Sequence, residues 1–396
     1  MYRRGVSFVT ACALGMCVAS CGFNGNGNNA MLPADAAAFD AAAAPDAVSP
    51  DAAEVALDTT ITGGAQGDVT TGTTLTYTFS GVGGTAFECR VDTASFAPCT
   101  SPYTLVAALG AHTFAVRVVL GNRVDTTPAT RSYTGIVTGT RIRLVSGNLT
   151  SGNLQAYEPP GTRIFQGLRP DIAMVQEFNV GDNSATTVRA WVDTTFGSSF
   201  FYFRESGADL ANGIVSRYPI VASGVWQDTE SPNREFAYAR IDVPGPIDLW
   251  VVSLHLLTND AKRPAEATQL VGYINAMVPV GDYLVIGGDF NSDTRTEPAI
   301  TTLSQVVQVS APYPVDQLGD GDTNRNRNSP YDWVMFDAQV AALQVPTTIG
   351  TSSFTNGLVF DSRVYTPLAD VSPVLMSDSA AMNMQHMAVV RDIVVP

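Results

Sequence analysis

The sequence predicts an α/β protein in which β-sheets pack together with helices outside them, preceded by a separate small all-β sandwich. Three observations carry that expectation. From about Leu57 to Tyr133, apolar and polar residues alternate with period two in Thr74–Phe79, Ala86–Val91 and His112–Val119, with Gly, Asp and Pro at the turns. Beyond Arg141, strand-like runs are interrupted by a few helical patterns, as in a layered sheet-and-helix domain. Six of those later runs carry a polar or charged residue at one end: Ile142–Asn148, Asp171–Glu177, Leu249–His255, Tyr283–Asp289 with Asn291 just beyond, Asp332–Phe336 and His386–Val395. In the first four the polar group follows the apolar residues, and in the last two it precedes them. Antiparallel neighbours would then gather all six at one edge of a sheet, where a site can form.

The elements follow in chain order. Residues 1–20 begin with Arg3 and Arg4 and continue through an apolar run, Val6–Ala19, that falls short of the about 20 residues of a membrane-spanning helix. This reads as an export signal. Val18-Ala19-Ser20-Cys21 resembles a bacterial lipobox, which implies lipidation of Cys21 and attachment to the cell envelope, at the outer membrane or cell surface. Of the five cysteines, the signal removes two and lipidation one. Cys89 and Cys99 remain, in adjacent strand-like stretches, and a local disulfide is the expectation for an exported protein. Residues 21–54 pass from Gly/Asn to Ala/Asp/Pro and hold five acids and no base from Ala34 to Glu54. Such a stretch buries too little apolar surface to offset its chain entropy and reads as a disordered spacer.

Residues 55–134 form the predicted all-β unit. Phe87-Glu88-Cys89-Arg90-Val91-Asp92, Phe96-Ala97-Pro98-Cys99 and His112-Thr113-Phe114-Ala115-Val116-Arg117 resemble the Ig-like repeats of bacterial surface proteins. That resemblance implies a spacer or binding module without chemistry, and a structural role for His112. Gly135–Thr140 reads as a linker. The remainder, 141–396, is long enough for one large domain with its own core. Within it Thr162–Leu168 carries Ile164, Phe165 and Leu168 at helical spacing and stops before Pro170. Asp260 is placed to cap a helix with Leu270, Val271, Ile274 and Met277 on one face.

Six short motifs then occur in order: Arg143-Leu144-Val145-Ser146-Gly147-Asn148 followed by Pro170 to Glu177; Asn212-Gly213-Ile214-Val215-Ser216-Arg217; Val252-Ser253-Leu254-His255; Gly288-Asp289-Phe290-Asn291; and Tyr331-Asp332-Trp333-Val334. Together they resemble the endonuclease/exonuclease/phosphatase superfamily, the deoxyribonuclease-I-like fold, over essentially all of 141–396. The resemblance implies a four-layer α/β sandwich of two packed sheets flanked by helices, which cleaves phosphate esters with a divalent metal, usually Mg²⁺, with Mn²⁺ or Ca²⁺ as alternatives. It implies Glu177 and Asn148 as metal ligands and His255, Asp289, Asn291, Asp332 and His386 as catalytic residues. Each type suits its part. Carboxylate and amide oxygens hold a hard cation. An Asp–His pair orients and charges an imidazole. Asp289 and Asn291 would stand beside the reacting phosphate, and His255 would donate a hydrogen bond to it or protonate the leaving group. Whether His386 or Asp289 is the general base stays open.

The chain departs from the family pattern near its end. Ser377-Asp378 is followed by Ser379, and the histidine comes later, in Gln385-His386-Met387-Ala388. An uncharged Gln385 stands where an Asp is usual, unless a loop returns Asp378 to the site. Arg325 and Arg327, in a Gly/Asp/Asn-rich loop before Asp332, are candidate phosphate clamps. The chain carries a net charge of −15. Within 141–396 there are 27 acids against 16 bases, a net of −11, and Lys262 is the single lysine. That balance opposes long-range attraction to nucleic acid without abolishing local contacts. The expected function is an exported, monomeric, lipid-anchored phosphodiesterase acting on nucleic acid. A sphingomyelinase-like enzyme acting on a phospholipid headgroup, or an inositol-phosphate hydrolase, is the first alternative. A non-catalytic surface binding protein on the same fold is the second.

Overall fold

In the computed structural model residues 55–149, 159–382 and 384–396 are described. The export signal, Cys21 and the 21–54 spacer lie outside them. Nine strands come first: β1 (Asp58–Gly63), β2 (Gly67–Thr70), β3 (Thr74–Val82), β4 (Ala86–Val91), β5 (Ala97–Cys99), β6 (Tyr103–Val106), β7 (Gly110–Leu120), β8 (Arg123–Val124) and β9 (Ala129–Ile136). They form one sheet of order β1-β3-β6 and a second of order β2-β9-β7-β4-β5, with β8 paired to β7. Alternation does the work predicted for it in β3, where Leu75, Tyr77 and Phe79 are buried and the intervening threonines exposed. Tyr77 stacks on Phe114 from β7 with centroids 4.4 Å apart, in a core shared with Val116 and Tyr133. Cys89 and Cys99 are joined as a disulfide across the β4–β5 pair. His112 bonds Asp92 at 2.7 Å inside this unit. The expected Gly135–Thr140 linker is shorter than the sequence suggested, because β9 runs to Ile136 and the next strand opens at Thr140.

The rest of the chain runs β10 (Thr140–Asn148), α1 (Pro159–Leu168), β11 (Ile172–Gln176), α2 (Ala185–Thr195), β12 (Phe201–Arg204), β13 (Gly213–Ser216), β14 (Ile220–Trp226), β15 (Phe236–Ile241), β16 (Leu249–His255), α3 (Arg263–Met277), β17 (Tyr283–Asp289), α4 (Pro298–Leu303), β18 (Asp332–Phe336), α5 (Ala338–Ala342), β19 (Gln344–Val345), β20 (Thr347–Ile349), β21 (Ser352–Phe354), β22 (Leu358–Phe360) and β23 (Ala388–Val395). One sheet has the order β12-β13-β11-β10-β23-β19, with β22 also on β23, and the other the order β14-β15-β16-β17-β18. The two sheets face each other across an apolar layer that includes Leu144, Met174, Val251, Val285, Val334 and Ile393. Phe165, Leu168, Val188 and Trp191 from α1 and α2 cover the outer face of the first sheet, and Leu270, Ile274 and Ile300 from α3 and α4 that of the second. Four layers result, mostly strand with few helices. Strands buried on both faces read as continuous apolar runs, and β11, β16 and β17 are buried throughout.

The α3 expectation needs correction. Its N-cap residue is Lys262, not Asp260, and Met277 is half exposed while Leu270, Val271 and Ile274 are buried. Asn259 supplies the first-turn contacts instead: its side chain accepts from the backbone N–H of Ala261, and its carbonyl from those of Lys262 and Arg263. Pro264 in the first turn needs no donor there.

Candidate active site

The six polar strand ends do meet, but the single sheet edge expected from the sequence is replaced by matching ends of two stacked sheets. β10 and β11 pair in parallel, as do β16 and β17, whereas β23 runs antiparallel to β10 and β18 antiparallel to β17. Groups that follow their strands (Asn148, Glu177, His255, Asp289) and groups that precede theirs (Asp332, His386) therefore reach the same end. Register sharpens this in the second sheet. His255 is the cross-strand partner of Asp289, and Asp289 that of Asp332, so three functional side chains stand in one row. Gly288 permits that row: a Cβ there would sit 2.0 Å from the carbonyl oxygen of Leu254.

Asp289 Oδ2 is the hub. Asn148 Nδ2 lies 3.0 Å from it, His255 Nε2 3.3 Å and His386 Nε2 3.5 Å. Asn148 Nδ2 also reaches Glu177 Oε1 at 3.3 Å. On its far side, His386 Nδ1 bonds Asp332 Oδ2 at 3.0 Å. Glu177 and Asn291 both adopt left-handed backbone, with φ of 50° and 47°. This conformation is costly for a residue with a side chain and is retained where structure and function demand it. In the Asn291 turn the backbone N–H donates to Asp289 Oδ1 at 2.9 Å and the side-chain Nδ2 to the carbonyl of Leu256 at 2.8 Å. Asn291 thus aims Asp289 and braces the end of β16.

Electrostatics separate the two imidazoles. Burial alone would discharge His386, but the Asp332, Asp289 and Glu177 carboxylates outweigh burial and raise its pKa to about 10. His255 is held well below its ordinary value, by burial first and then by Arg234 and His386. One ring is therefore an imidazolium and the other neutral. Burial also raises the pKa of Asp289 and of Asp332, against the pull of His386.

Asp289, Asp332 and His386 form a candidate Asp–Asp–His metal grouping, with ligand atoms all within 4.8 Å of one another. Glu177 extends it with a further carboxylate, and Asn148, which here turns its amide nitrogen toward Glu177 and Asp289, would offer its oxygen after an amide flip; such hard oxygens suit Mg²⁺, Mn²⁺ or Ca²⁺. Two features fit a cation. Three carboxylates face one imidazolium, and Asp332 Oδ1 is buried without a hydrogen-bond partner. The residues present fit a divalent ion, and oxygen is the better donor while His386 is protonated.

Other expectations resolve differently. Arg327 is not free to clamp a phosphate: it pairs with Asp316 and Asp361, each at 2.9 Å, and staples its own loop. Arg325 donates to the carbonyls of Met382 and Ala380, which ties that loop to the segment before His386. Asp378 does not return to the site; it is buried against Arg163 of α1 at 2.5 Å. Gln385 is exposed, so the acid beside His386 is Asp332.

Sequence reasoning missed two supports. Arg234, buried, donates to the carbonyls of His255 and Leu256 at 2.5 and 2.9 Å. Thr323 accepts from the Asp332 backbone N–H at 2.6 Å through its hydroxyl, and from the Met387 N–H at 2.7 Å through its carbonyl, while Asn324 forms a β-bridge with His386. Only a polar residue close to a charged strand start hints at Thr323, and nothing local hints at Arg234.

A protein family described as the endonuclease/exonuclease/phosphatase family matches residues 152–353, just over half of the chain. No curated protein matches the sequence. Similar solved structures include a family protein from Leptotrichia buccalis (13% identity, 64% of this chain and 100% of that one, TM-score 0.43). A Neisseria 3′ phosphatase bound to a product DNA hairpin is 13% identical over 64% of this chain and 99% of that one, with TM-score 0.44. Beta toxin from Staphylococcus aureus is 13% identical over 63% and 99%, with TM-score 0.40.

Proposed function

Because the chain belongs to the endonuclease/exonuclease/phosphatase family, we propose that it is an exported, lipid-anchored, metal-dependent phosphodiesterase. The observation that carries this reading is the convergence of His255, His386 and Asn148 on Asp289 Oδ2, with Asp332 behind His386. Glu177 and Asn148, with Asp289 beside them, would hold the ion. When bound, it offsets phosphate charge and charge building on the oxygens.

The chain's own residues do the rest. The Asp332–His386 pair fixes the imidazole and can hold or return a proton at Nε2, beside Asp289. Asp289 positions water, and the backbone N–H of Asn291 fixes its carboxylate. His255 is neutral, which favours hydrogen-bond donation to a phosphate oxygen over protonation of the leaving group. The first sandwich, of Ig-like type, serves as spacer or binding module, and lipidation at Cys21 would keep the enzyme at the envelope.

A nuclease is one form of this activity. A second form, hydrolysis of small or lipid-headgroup phosphodiesters, is favoured by a specific observation: the two loop arginines expected to grip phosphate are committed within the protein. The test is turnover on DNA, RNA, sphingomyelin, inositol phosphates and nucleotides, with Mg²⁺ and with EDTA. Activity should vanish in EDTA, and Glu177→Ala or His386→Ala should reduce turnover about 10²–10⁴-fold. Undiminished wild-type turnover in chelator would reject the metal dependence. No hydrolysis of any substrate would leave a binding protein.

A further inference from the structure

Several arginines of this domain are paired with carboxylates. Arg263 is held by Glu297 and Asp293, Arg327 by Asp316 and Asp361, and Arg143 by Asp392. Arg391, on β23, and the buried Arg234 have neutral acceptors instead, but the guanidinium of Arg391 also leaves one N–H unpartnered. Its guanidinium lies 4.0 Å over the Phe336 ring, donates from Nη1 to the carbonyl of Val334 at 2.9 Å, and from Nη2 to the side-chain oxygen of Gln344. Those acceptors are neutral. Its Nε is shut off from solvent and has no hydrogen-bond partner. Burial lowers the pKa of Arg391 to about 10.

Beside it is a cavity of about 30 Å³, lined by Arg391, Arg295, Trp333, Tyr313, Val359 and Val389 among others. Its inner space takes one or two water-sized particles. A guanidinium largely withdrawn from water without a counter-charge is unfavourable. A ring face and two neutral acceptors cover only part of that cost.

We propose that this cavity holds a small monovalent inorganic anion of halide size, paired with Arg391. The largely apolar lining favours a weakly hydrated ion. Asp332 also lines the cavity, and its repulsion would require the anion to sit on the Arg391 side. The location gives the ion a role. Val334 and Phe336 lie on β18, which opens with Asp332, and Arg391 lies on β23, which follows His386. These strands belong to different sheets, so the ion would brace the seam between the two members of the imidazole–carboxylate pair.

The test uses the full chain. Crystals grown in sodium bromide should show an anomalous peak in contact with the Arg391 guanidinium. In solution, at fixed ionic strength, replacing gluconate by chloride or bromide should raise Tm by about 3 °C near tenfold the halide Kd. Arg391→Met should abolish that rise. Ordered water alone beside Arg391 in saturating bromide would overturn the proposal, even if Arg391→Met failed to fold. So would a halide response that persists undiminished in Arg391→Met.

Discussion

Asp289 and Asp332 share one imidazolium, and their charges set its basicity. Asp332→Asn keeps the shape of the pair and removes a charge that holds His386 protonated. In metal-free protein the His386 ring should then titrate at lower pH, as read by NMR of its C–H signals, and turnover should fall about 10²-fold or more. An unmoved ring titration would break the link between the two. Glu205 makes a separate statement. Burial raises its pKa from 4.5 to about 7, against hydrogen bonds from the backbone of Asn212 and Glu235. Between those pH values the folded chain keeps a proton that the unfolded chain has lost. Its contribution is full below pH 4.5 and fades as pH rises to about 7. Glu205→Gln should flatten this slope in chemical denaturation run across that range. At this scale the sequence was legible where a polar residue ended an apolar run, because strand geometry alone then places it. It was misleading at Arg325 and Arg327: a loop arginine does not announce which acids or carbonyls will fold back onto it. Arg234 was invisible for a related reason, since its acceptors are backbone carbonyls 21 and 22 residues away.

Among the elements, the segment between β22 and β23 departs furthest from the sequence expectation. It delivers His386, and Arg163 on α1 anchors it through Asp378. Removing one partner of a fully buried pair costs about 3–5 kcal/mol, and partial exposure of Arg163 lowers this. Arg163→Ala should destabilise the protein by about 2 kcal/mol in urea unfolding, and the double variant with Asp378→Ala should be less than additive. Gly288→Ala is the sharper strand test. Its methyl would collide with the Leu254 carbonyl between β16 and β17. Activity should therefore fall by more than lost stability explains, because the His255–Asp289 row shifts. The site strands could be read from continuous apolar runs. The α3 start could not: Asp260 and Asn259 are both good capping types, and only the path of the chain decides between them. The division of the runs between two sheets was equally hidden, since a strand's sequence does not name its partner.

For the whole molecule, charge decides how substrate arrives. A chain with a net charge of −15, of which −11 falls within residues 141–396, repels a polyanion, and salt screens that repulsion. If DNA is cleaved, kcat/KM should rise between about 50 and 200 mM NaCl, opposite to the fall seen when basic proteins bind DNA. A small zwitterionic phosphodiester should show little salt dependence. The layered architecture was legible from the mixture of strands and helices, and the family from the ordered motifs, because both are written locally. The three apolar layers depend on which face each alternate residue takes, and that emerges only when both sheets are in place.

Half of the reactive cluster rides on each sheet. Its internal spacing is therefore governed by the thickness of the filling between them, where a Cβ on Gly287 would come 2.4 Å from the sulfur of Met174. Turnover in this protein should act as a strain gauge for its own interior: side chains that swell or shrink that filling will detune the chemistry from a distance, without touching a single group that performs it.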